Sequence, residues 1–252
     1  MAKRKIPVAV QLYSVREDCA KDLPGSLKQI AGMGYDGVEF AGYYGRSAGD
    51  LRKMLDDLGL KAAGAHVGID TLLDGQIEAS IAFHKAIGNR FLIVPGLPES
   101  YRNSIDAWKR TAALFNRIAD RLAPQGMYTG YHNHHTEFAL VDGVMPWQVL
   151  LENTGPRVVI QADTGNALHG GQDVVPWLER FPGRALSVHL KEYSPRDDKA
   201  VIGEGDVNWK KLFQVCETTG KTEWYVVEQE SYRAAPLECV RLCRQNLKKM
   251  GK

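Results

Sequence analysis

Short apolar segments alternate with amphipathic ones along nearly the whole chain. Two of the short segments, FLIV and VVI, are apolar throughout, which is typical of parallel strands covered on the outside by helices. On this pattern, strands are expected at residues 6–13, 36–41, 61–66, 90–95, 127–132, 157–162, 185–190 and 223–228.

The segments between these strands carry apolar residues at helical spacing. In LRKMLDDL (51–58) the apolar side chains follow the i, i+3, i+4, i+7 pattern, and Gly59 then stands where a helix would end. Helices are expected near residues 22–32, 47–58, 74–87, 102–123, 145–153, 171–180, 207–219 and 235–249.

Eight strand–helix pairs in 252 residues match the count and length of a (β/α)8 TIM barrel. A doubly wound open sheet would use the same alternation, but QLYSVRED follows the first strand where a glycine-rich phosphate loop would be expected. Polar residues also follow many strands rather than one switch point. The sequence therefore predicts a single (β/α)8 barrel domain spanning residues 1–252.

The last four expected strands each stop on a His, Asp or Glu, although an apolar strand gains nothing from such an ending. In a barrel the carboxyl ends of all strands meet at one face. The polar endings therefore predict one site, to which the strands contribute Gln11, Tyr13, Glu39, His66, His132, His134, Glu137, Asp163, His189, Lys191 and Glu228. Carboxylate and imidazole together suit a divalent metal and acid/base chemistry on a small polar molecule.

Charge and composition exclude several classes of function. Because 32 basic residues nearly balance 30 acidic ones, an electrostatic nucleic-acid binder is not expected. The basic start MAKRKIP is not followed by the apolar stretch of a secretory signal, and no run approaches the roughly 20 residues of a membrane helix. A cytoplasmic location is expected, and the four cysteines, which lack CxxC spacing, are expected to be structural.

Seven motifs carry a resemblance that covers essentially the whole chain: QLYSVR, GYDGVEF, YHNHHTEF, QADTGN, VHLKEY, GEGDVNW and VVEQE. In this order and spacing the chain resembles the xylose isomerase-like TIM-barrel superfamily, in the sugar phosphate isomerase/epimerase group. That group includes ketose 3-epimerases and inosose dehydratases, so the resemblance implies a barrel acting on sugars or cyclic polyols.

The resemblance also implies one divalent metal ion, held by Glu, Asp, His and Glu from strands 5 to 8. Asp163, His189 and Glu228 match three of these ligands. At the strand-5 position this chain has His132, and the nearest carboxylate is Glu137, five residues further on. Both remain alternatives; Glu137 is preferred because an oxygen-rich site favours carboxylate. Mn²⁺ is the expected ion, with Mg²⁺, Co²⁺ and Zn²⁺ as alternatives.

The reaction implied is removal of a proton next to a carbonyl through an ene-diolate, by a sugar isomerase or epimerase. The expected catalytic residues are Glu137, Glu228, Lys191 and His134. The residues expected to bind substrate are His66, Glu39, His132, Glu204 and Tyr13.

Two further functions remain open. The histidine-rich strand 5 would suit an acid that protonates a leaving oxygen, so the alternative is a metal-dependent lyase or dehydratase acting on a keto-sugar, keto-glycoside or inosose. A non-catalytic sugar-binding barrel is the less favoured third reading. The expected partner is a small carbohydrate or cyclic polyol, with homo-oligomerisation left open.

Overall fold

The computed structural model describes residues 5–252 and contains eight parallel strands, each within one of the expected segments. The strands are β1 Val8–Gln11, β2 Gly37–Ala41, β3 Lys61–His66, β4 Phe91–Val94, β5 Tyr128–His132, β6 Val158–Gln161, β7 Ser187–Leu190 and β8 Trp224–Val227. They are ordered β6-β5-β4-β3-β2-β1-β8-β7 in one sheet.

The sheet is nearly closed into a barrel, because β6 and β7, at its two edges, approach each other. The amide of His189 donates to the carbonyl of Ala162 at 2.9 Å, and that of Ile160 donates to Arg184 at the same distance. The prediction of a single (β/α)8 TIM barrel is confirmed.

Helices follow the strands and pack around the barrel through their apolar faces. They are α1 Arg16–Met33, α2 Ala48–Leu58, α3 Ile77–Ile87, α4 Ile105–Leu122, α5 Pro146–Asn153, α6 Thr164–His169, α7 Val175–Arg180, α8 Trp209–Thr218 and α9 Pro236–Lys249. On α4, for example, Trp108, Phe115 and Leu122 are buried at helical spacing. Within residues 5–252, no helix is long and apolar enough to cross a membrane.

Two helical segments differ from the expectation. Helix α1 begins at Arg16, six residues early, and bends at Asp22, whose φ of −152° and ψ of 86° are not helical. Pro24 follows the bend, and the carboxylate of Asp22 accepts from the amide of Gly25 at 3.0 Å, as a cap does at a new helix start.

Helix α6 was not expected at all. Its sequence TGNALH is short and lacks apolar periodicity, so it resembles a turn. It forms because Asp163, at the end of β6, caps it: its Oδ1 accepts from the amide of Asn166 at 2.6 Å. This cap fixes one oxygen of a carboxylate that the sequence placed in the candidate site.

Candidate functional site

A cavity of about 450 Å³ opens at the carboxyl ends of the strands, as the fold requires. Its walls include the apolar side chains of Ala41, Val67 and Pro95. The polar side chains that line it are those of Gln11, Tyr13, His66, His132, His134, Glu228 and Glu230.

Four buried side chains from consecutive strands meet beside this cavity: His132, Asp163, His189 and Glu228. Each offers one nitrogen or oxygen atom, and these four atoms lie within 4.8 Å of one another. Such a spacing allows all four to contact one cation. The three ligands matched by sequence and the alternative strand-5 residue, His132, are thus brought together.

Two atoms of this cluster have no hydrogen-bond partner among the described residues, namely His132 Nδ1 and Asp163 Oδ2. His132 is only 1% exposed and Asp163 is fully buried, so neither atom faces bulk solvent. A buried polar atom without a partner costs about 1–3 kcal/mol. A divalent cation would satisfy both atoms, and the donor set of two imidazoles and two carboxylates therefore fits one.

His189 lies between two carboxylates. Its Nδ1 is 2.5 Å from Glu228 Oε2 and its Nε2 is 2.5 Å from Glu39 Oε2. Burial alone would lower the pKa of His189, but the two carboxylates raise it to about 10. Burial would likewise raise the pKa of Glu228, yet its hydrogen bond with His189 holds it well below the usual range. This part of the site is an ion pair when no cation is bound.

The pKa of Asp163 shifts in the opposite direction to that of Glu228. Burial raises its pKa to about 7, although the nearby charge of Lys191 opposes the shift. Its two oxygens serve different purposes: Oδ1 caps α6, and Oδ2 has no hydrogen-bond partner within residues 5–252. In the sequence, capping a helix and binding a cation are alternative roles for Asp163. In the structure the two roles are compatible, because each uses a different oxygen.

Glu39 lies beneath His189 and not in the cavity, where it was expected to bind substrate. It is fully buried, and it accepts from Gln11 Nε2 at 2.9 Å and from Gln161 Nε2 at 2.8 Å, in addition to its contact with His189. Carboxylates that hold the second nitrogen of a metal-binding histidine orient the ring and strengthen it as a ligand. Glu39 therefore contacts the ring of His189 rather than the cavity.

Gly64 on β3 makes room for this carboxylate, since a Cβ at that position would lie 2.3 Å from Glu39 Oε1. Gln161, at the end of β6, also holds His66: its Nε2 donates to Glu39, so its Oε1 accepts from His66 Nε2 at 2.7 Å. That hydrogen bond places the proton of neutral His66 on Nε2. Sequence reasoning did not select Gln161, although it precedes Asp163 by two residues on the same strand face.

Glu137 lies outside the cluster, so the preference for it over His132 as strand-5 ligand is not supported. A 3₁₀ turn, Thr136–Phe138, follows the strand and directs Glu137 back onto its own loop. Its Oε2 accepts from the amide of His134 at 2.6 Å, and its Oε1 accepts from Tyr131 Oη at 3.1 Å. Its carboxylate is already satisfied and orders the loop that carries His134.

Lys191 and Glu230 form an ion pair beside the cluster. Lys191 Nζ also donates to Asn166 Oδ1 at 3.1 Å and lies 3.6 Å from Glu228 Oε1. Burial opposes a charged lysine, but Asp163 and Glu228 raise the pKa of Lys191 above its usual value. Glu230 was missed from sequence, although it lies two residues after Glu228 and hence on the same face of the chain.

The remaining expected site residues, namely the catalytic candidate His134 and the substrate-binding candidates Tyr13, His66 and Glu204, divide into two groups. Tyr13, His66 and His134 line the cavity; Tyr13 is 42% exposed, and the guanidinium of Arg16 lies 4.3 Å from its ring centroid. Glu204 does not line the cavity. It pairs with Arg233 at 2.7 Å on the surface.

The GEGDVNW loop that carries Glu204 is held from below by Glu192. The carboxylate of this buried residue accepts hydrogen bonds from the amides of Gly203 at 2.6 Å and Val207 at 3.2 Å, and from Trp209 Nε1 at 2.9 Å. The motif is therefore ordered around Glu192, which sequence reasoning did not single out.

Comparisons with known proteins agree with this architecture. The chain is 24% identical to the rhizopine catabolism protein MocC of Rhizobium meliloti, over 98% of this chain and 89% of that protein. It is also 24% identical to an inosose dehydratase of Lacticaseibacillus casei, over 84% of each. A solved structure of a sugar phosphate isomerase/epimerase from Parabacteroides distasonis superimposes with a TM-score of 0.84 and 26% identity, covering 97% of this chain and 98% of that one.

The family model for the xylose isomerase-like TIM barrel matches residues 27–249, nearly the entire chain. It includes every member of the four-residue cluster and every strand except β1. The chain belongs to the xylose isomerase-like TIM barrel family.

Proposed function

We propose that the protein is an enzyme that removes a proton from the carbon next to a carbonyl of an uncharged keto-sugar or cyclic keto-polyol. Isomerisation or epimerisation is the outcome we favour. One observation carries the proposal: the buried cluster of His132, Asp163, His189 and Glu228, with its two atoms that lack a partner among the described residues, lies beside a cavity of about 450 Å³ that His132 and Glu228 line. Small-molecule sites have volumes of roughly 300–1,000 Å³.

The four residues of the cluster would hold one divalent cation. When bound, such a cation supplies Lewis acidity that polarises a carbonyl and lowers the cost of ionising the adjacent carbon. Glu39 would keep His189 in the orientation that ligation needs.

Glu228 is the residue that we assign to proton removal. Its pKa is held well below the usual range by His189, so its carboxylate is ionised at neutral pH, and it lines the cavity. The ammonium of Lys191 lies 3.6 Å from Glu228 Oε1, and its charge also helps to keep that carboxylate ionised. His134, on the strand-5 side of the cavity, offers a second group for returning the proton.

The lining of the cavity favours an uncharged substrate. Glu228 and Glu230 contribute two carboxylates, while no Lys or Arg side chain of residues 5–252 lines it. Lys191, which lies 3.6 Å from Glu228 Oε1, is engaged by Glu230 and Asn166. A phosphate group would therefore meet two carboxylates and no lysine or arginine among the described residues that line the cavity.

Elimination of water is the second candidate outcome, and one feature favours it. Three imidazoles, those of His66, His132 and His134, line the cavity together with Glu228. An imidazolium at His134 would protonate a hydroxyl leaving from the carbon beyond the one that loses its proton. The similarity to inosose dehydratase supports the same reading.

Proton exchange in deuterated water tests the proposal. Ketohexoses, ketopentoses and inososes are incubated with the protein loaded with Mn²⁺ or Zn²⁺, and ¹H NMR follows the protons next to each carbonyl. Loss of one signal, with an epimer or isomer formed, supports the first candidate; formation of a conjugated enone supports the second.

The matched variants are E228Q, which should abolish exchange, and E204Q, which should retain it because Glu204 lies outside the cavity. Equal exchange by wild type and E228Q would contradict the assignment of Glu228. No exchange with any member of the panel by the metal-loaded protein would favour a barrel that binds carbohydrate without converting it.

A further inference from the structure

We infer that His132 makes the metal centre selective for a borderline cation, Zn²⁺ or Co²⁺, over the harder Mn²⁺ and Mg²⁺. This rests on the proposed function only in concerning the same site, and it names the class of ion that the site takes. It departs from the expectation of Mn²⁺ drawn from the resemblance.

The donor set is the first argument. Two of its four members are imidazoles, His132 from β5 and His189 from β7, and two are carboxylates, Asp163 and Glu228. Imidazole nitrogen suits Zn²⁺ and the later transition metals, whereas Mg²⁺ and Mn²⁺ prefer carboxylate, carbonyl and water. An equal mixture of nitrogen and oxygen therefore shifts selectivity away from the harder ions.

The burial of His132 is the second argument. Its side chain is 1% exposed and its Nδ1 has no hydrogen-bond partner in the described part of the chain. A histidine that served only as packing would leave this nitrogen unsatisfied at a cost of about 1–3 kcal/mol. A cation bound at this nitrogen would remove that cost, and one ring nitrogen of His132 lies within 4.8 Å of the ligand atoms of the other three residues.

The third argument is that strand 5 has no carboxylate free to replace His132. The carboxylate of Glu137 accepts from Tyr131 Oη, Thr136 Oγ1 and the amide of His134. Moving it into the cluster would break all three hydrogen bonds and release the loop.

Selectivity must be read as a ratio, because almost any nitrogen and oxygen site binds Zn²⁺ more tightly than Mn²⁺. The decisive comparison is H132E, which replaces the imidazole by an oxygen ligand. H135E is the matched control, since His135 is an exposed neighbour that does not line the cavity. Each protein is stripped with a chelator, and its Kd for Zn²⁺, Co²⁺ and Mn²⁺ is measured by competition with a chromophoric chelator at one pH.

The expected result is that the ratio Kd(Mn²⁺)/Kd(Zn²⁺) falls by about tenfold or more in H132E and is unchanged in H135E, a change of the size that altered ligand surroundings produce. Zn K-edge X-ray absorption of the unmodified protein is the second measurement, which does not depend on the variant folding. Multiple scattering from two imidazoles is expected.

One imidazole at the zinc of the wild-type protein, or an unchanged ratio in a folded H132E, overturns the selectivity but leaves the proton-exchange proposal standing. A wild-type protein that binds none of the three ions overturns the metal site itself. The two failures are thus distinguished by whether metal is bound at all.

Discussion

Replacing Glu39 by Gln tests how the site is supported from below. Three donors converge on this buried carboxylate, from Gln11, Gln161 and His189. A glutamine offers one acceptor oxygen and brings an NH₂ group of its own. At least one donor would then face another donor, and His189 would lose the charged partner of its Nε2.

The size of the effect follows from these contacts. One buried donor without an acceptor costs about 1–3 kcal/mol, so E39Q should lower the free energy of unfolding of the metal-free protein by about that amount. Loss of a carboxylate that orients a ligating histidine typically weakens metal binding by 10–100-fold. A weakening of that size corresponds to about 1.4–2.8 kcal/mol.

Two assays separate these consequences. Urea unfolding of the chelator-treated protein gives stability, and competition with a chromophoric chelator gives the Kd for Zn²⁺. E204Q is the control, because it makes the same substitution in an exposed ion pair with Arg233, which contributes roughly 0–1 kcal/mol. A Zn²⁺ affinity of E39Q within about threefold of wild type would refute the view that Glu39 orients His189.

Three further predictions concern other contacts. G64A should weaken Zn²⁺ binding as E39Q does, because the new Cβ would lie 2.3 Å from Glu39 Oε1 and would force that oxygen to move. Competition with the same chromophoric chelator measures this. Burial lowers the pKa of His84 to about 4, so only the unfolded chain binds a proton between its ordinary pKa of 6.5 and about 4. The free energy of unfolding of the wild type is therefore lowered by roughly 3 kcal/mol as pH falls through this window. Between pH 7 and pH 4, measured by urea titration, the free energy of unfolding of H84Q should fall by that much less than the wild-type value. E192Q should speed hydrogen exchange at the amides of Gly203 and Val207, which it holds.

Each of the three has an outcome that would contradict it. Wild-type Zn²⁺ affinity in G64A would mean that the carboxylate has room to move. Parallel pH profiles for wild type and H84Q would place the acid sensitivity elsewhere, and unchanged exchange in E192Q would show that other contacts order the loop.

Much of this structure follows from local patterns in the chain. Strand positions could be predicted because a parallel barrel strand is buried on both faces and therefore apolar throughout. Asp163, His189 and Glu228 could be predicted as a group because each ends such a strand, and strand ends converge in a barrel. The short helix after Asp163 could not, since its stability comes from the cap and from packing rather than from periodicity.

The direction in which an individual side chain points could not be predicted from local patterns. Glu137 and His132 are both plausible strand-5 ligands in the sequence, and the choice depends on a 3₁₀ turn and on the hydroxyl of Tyr131, which satisfy the carboxylate locally. Glu39 is a polar residue within an otherwise apolar strand segment, so in the sequence it resembles a substrate-binding residue. Only the barrel shows that its carboxylate lies beneath His189.

The sequence by itself thus determined the eightfold alternation, the face on which the site lies and three of its four clustered residues, because these depend on burial and on position along a strand. Tertiary structure alone decided that His132 completes the cluster, that Glu39 supports it and that Glu204 lies on the surface in an ion pair. Those outcomes depend on which donors and acceptors meet across strands far apart in the chain. The pattern of residue types along the chain does not specify these contacts, because they form only when the barrel closes.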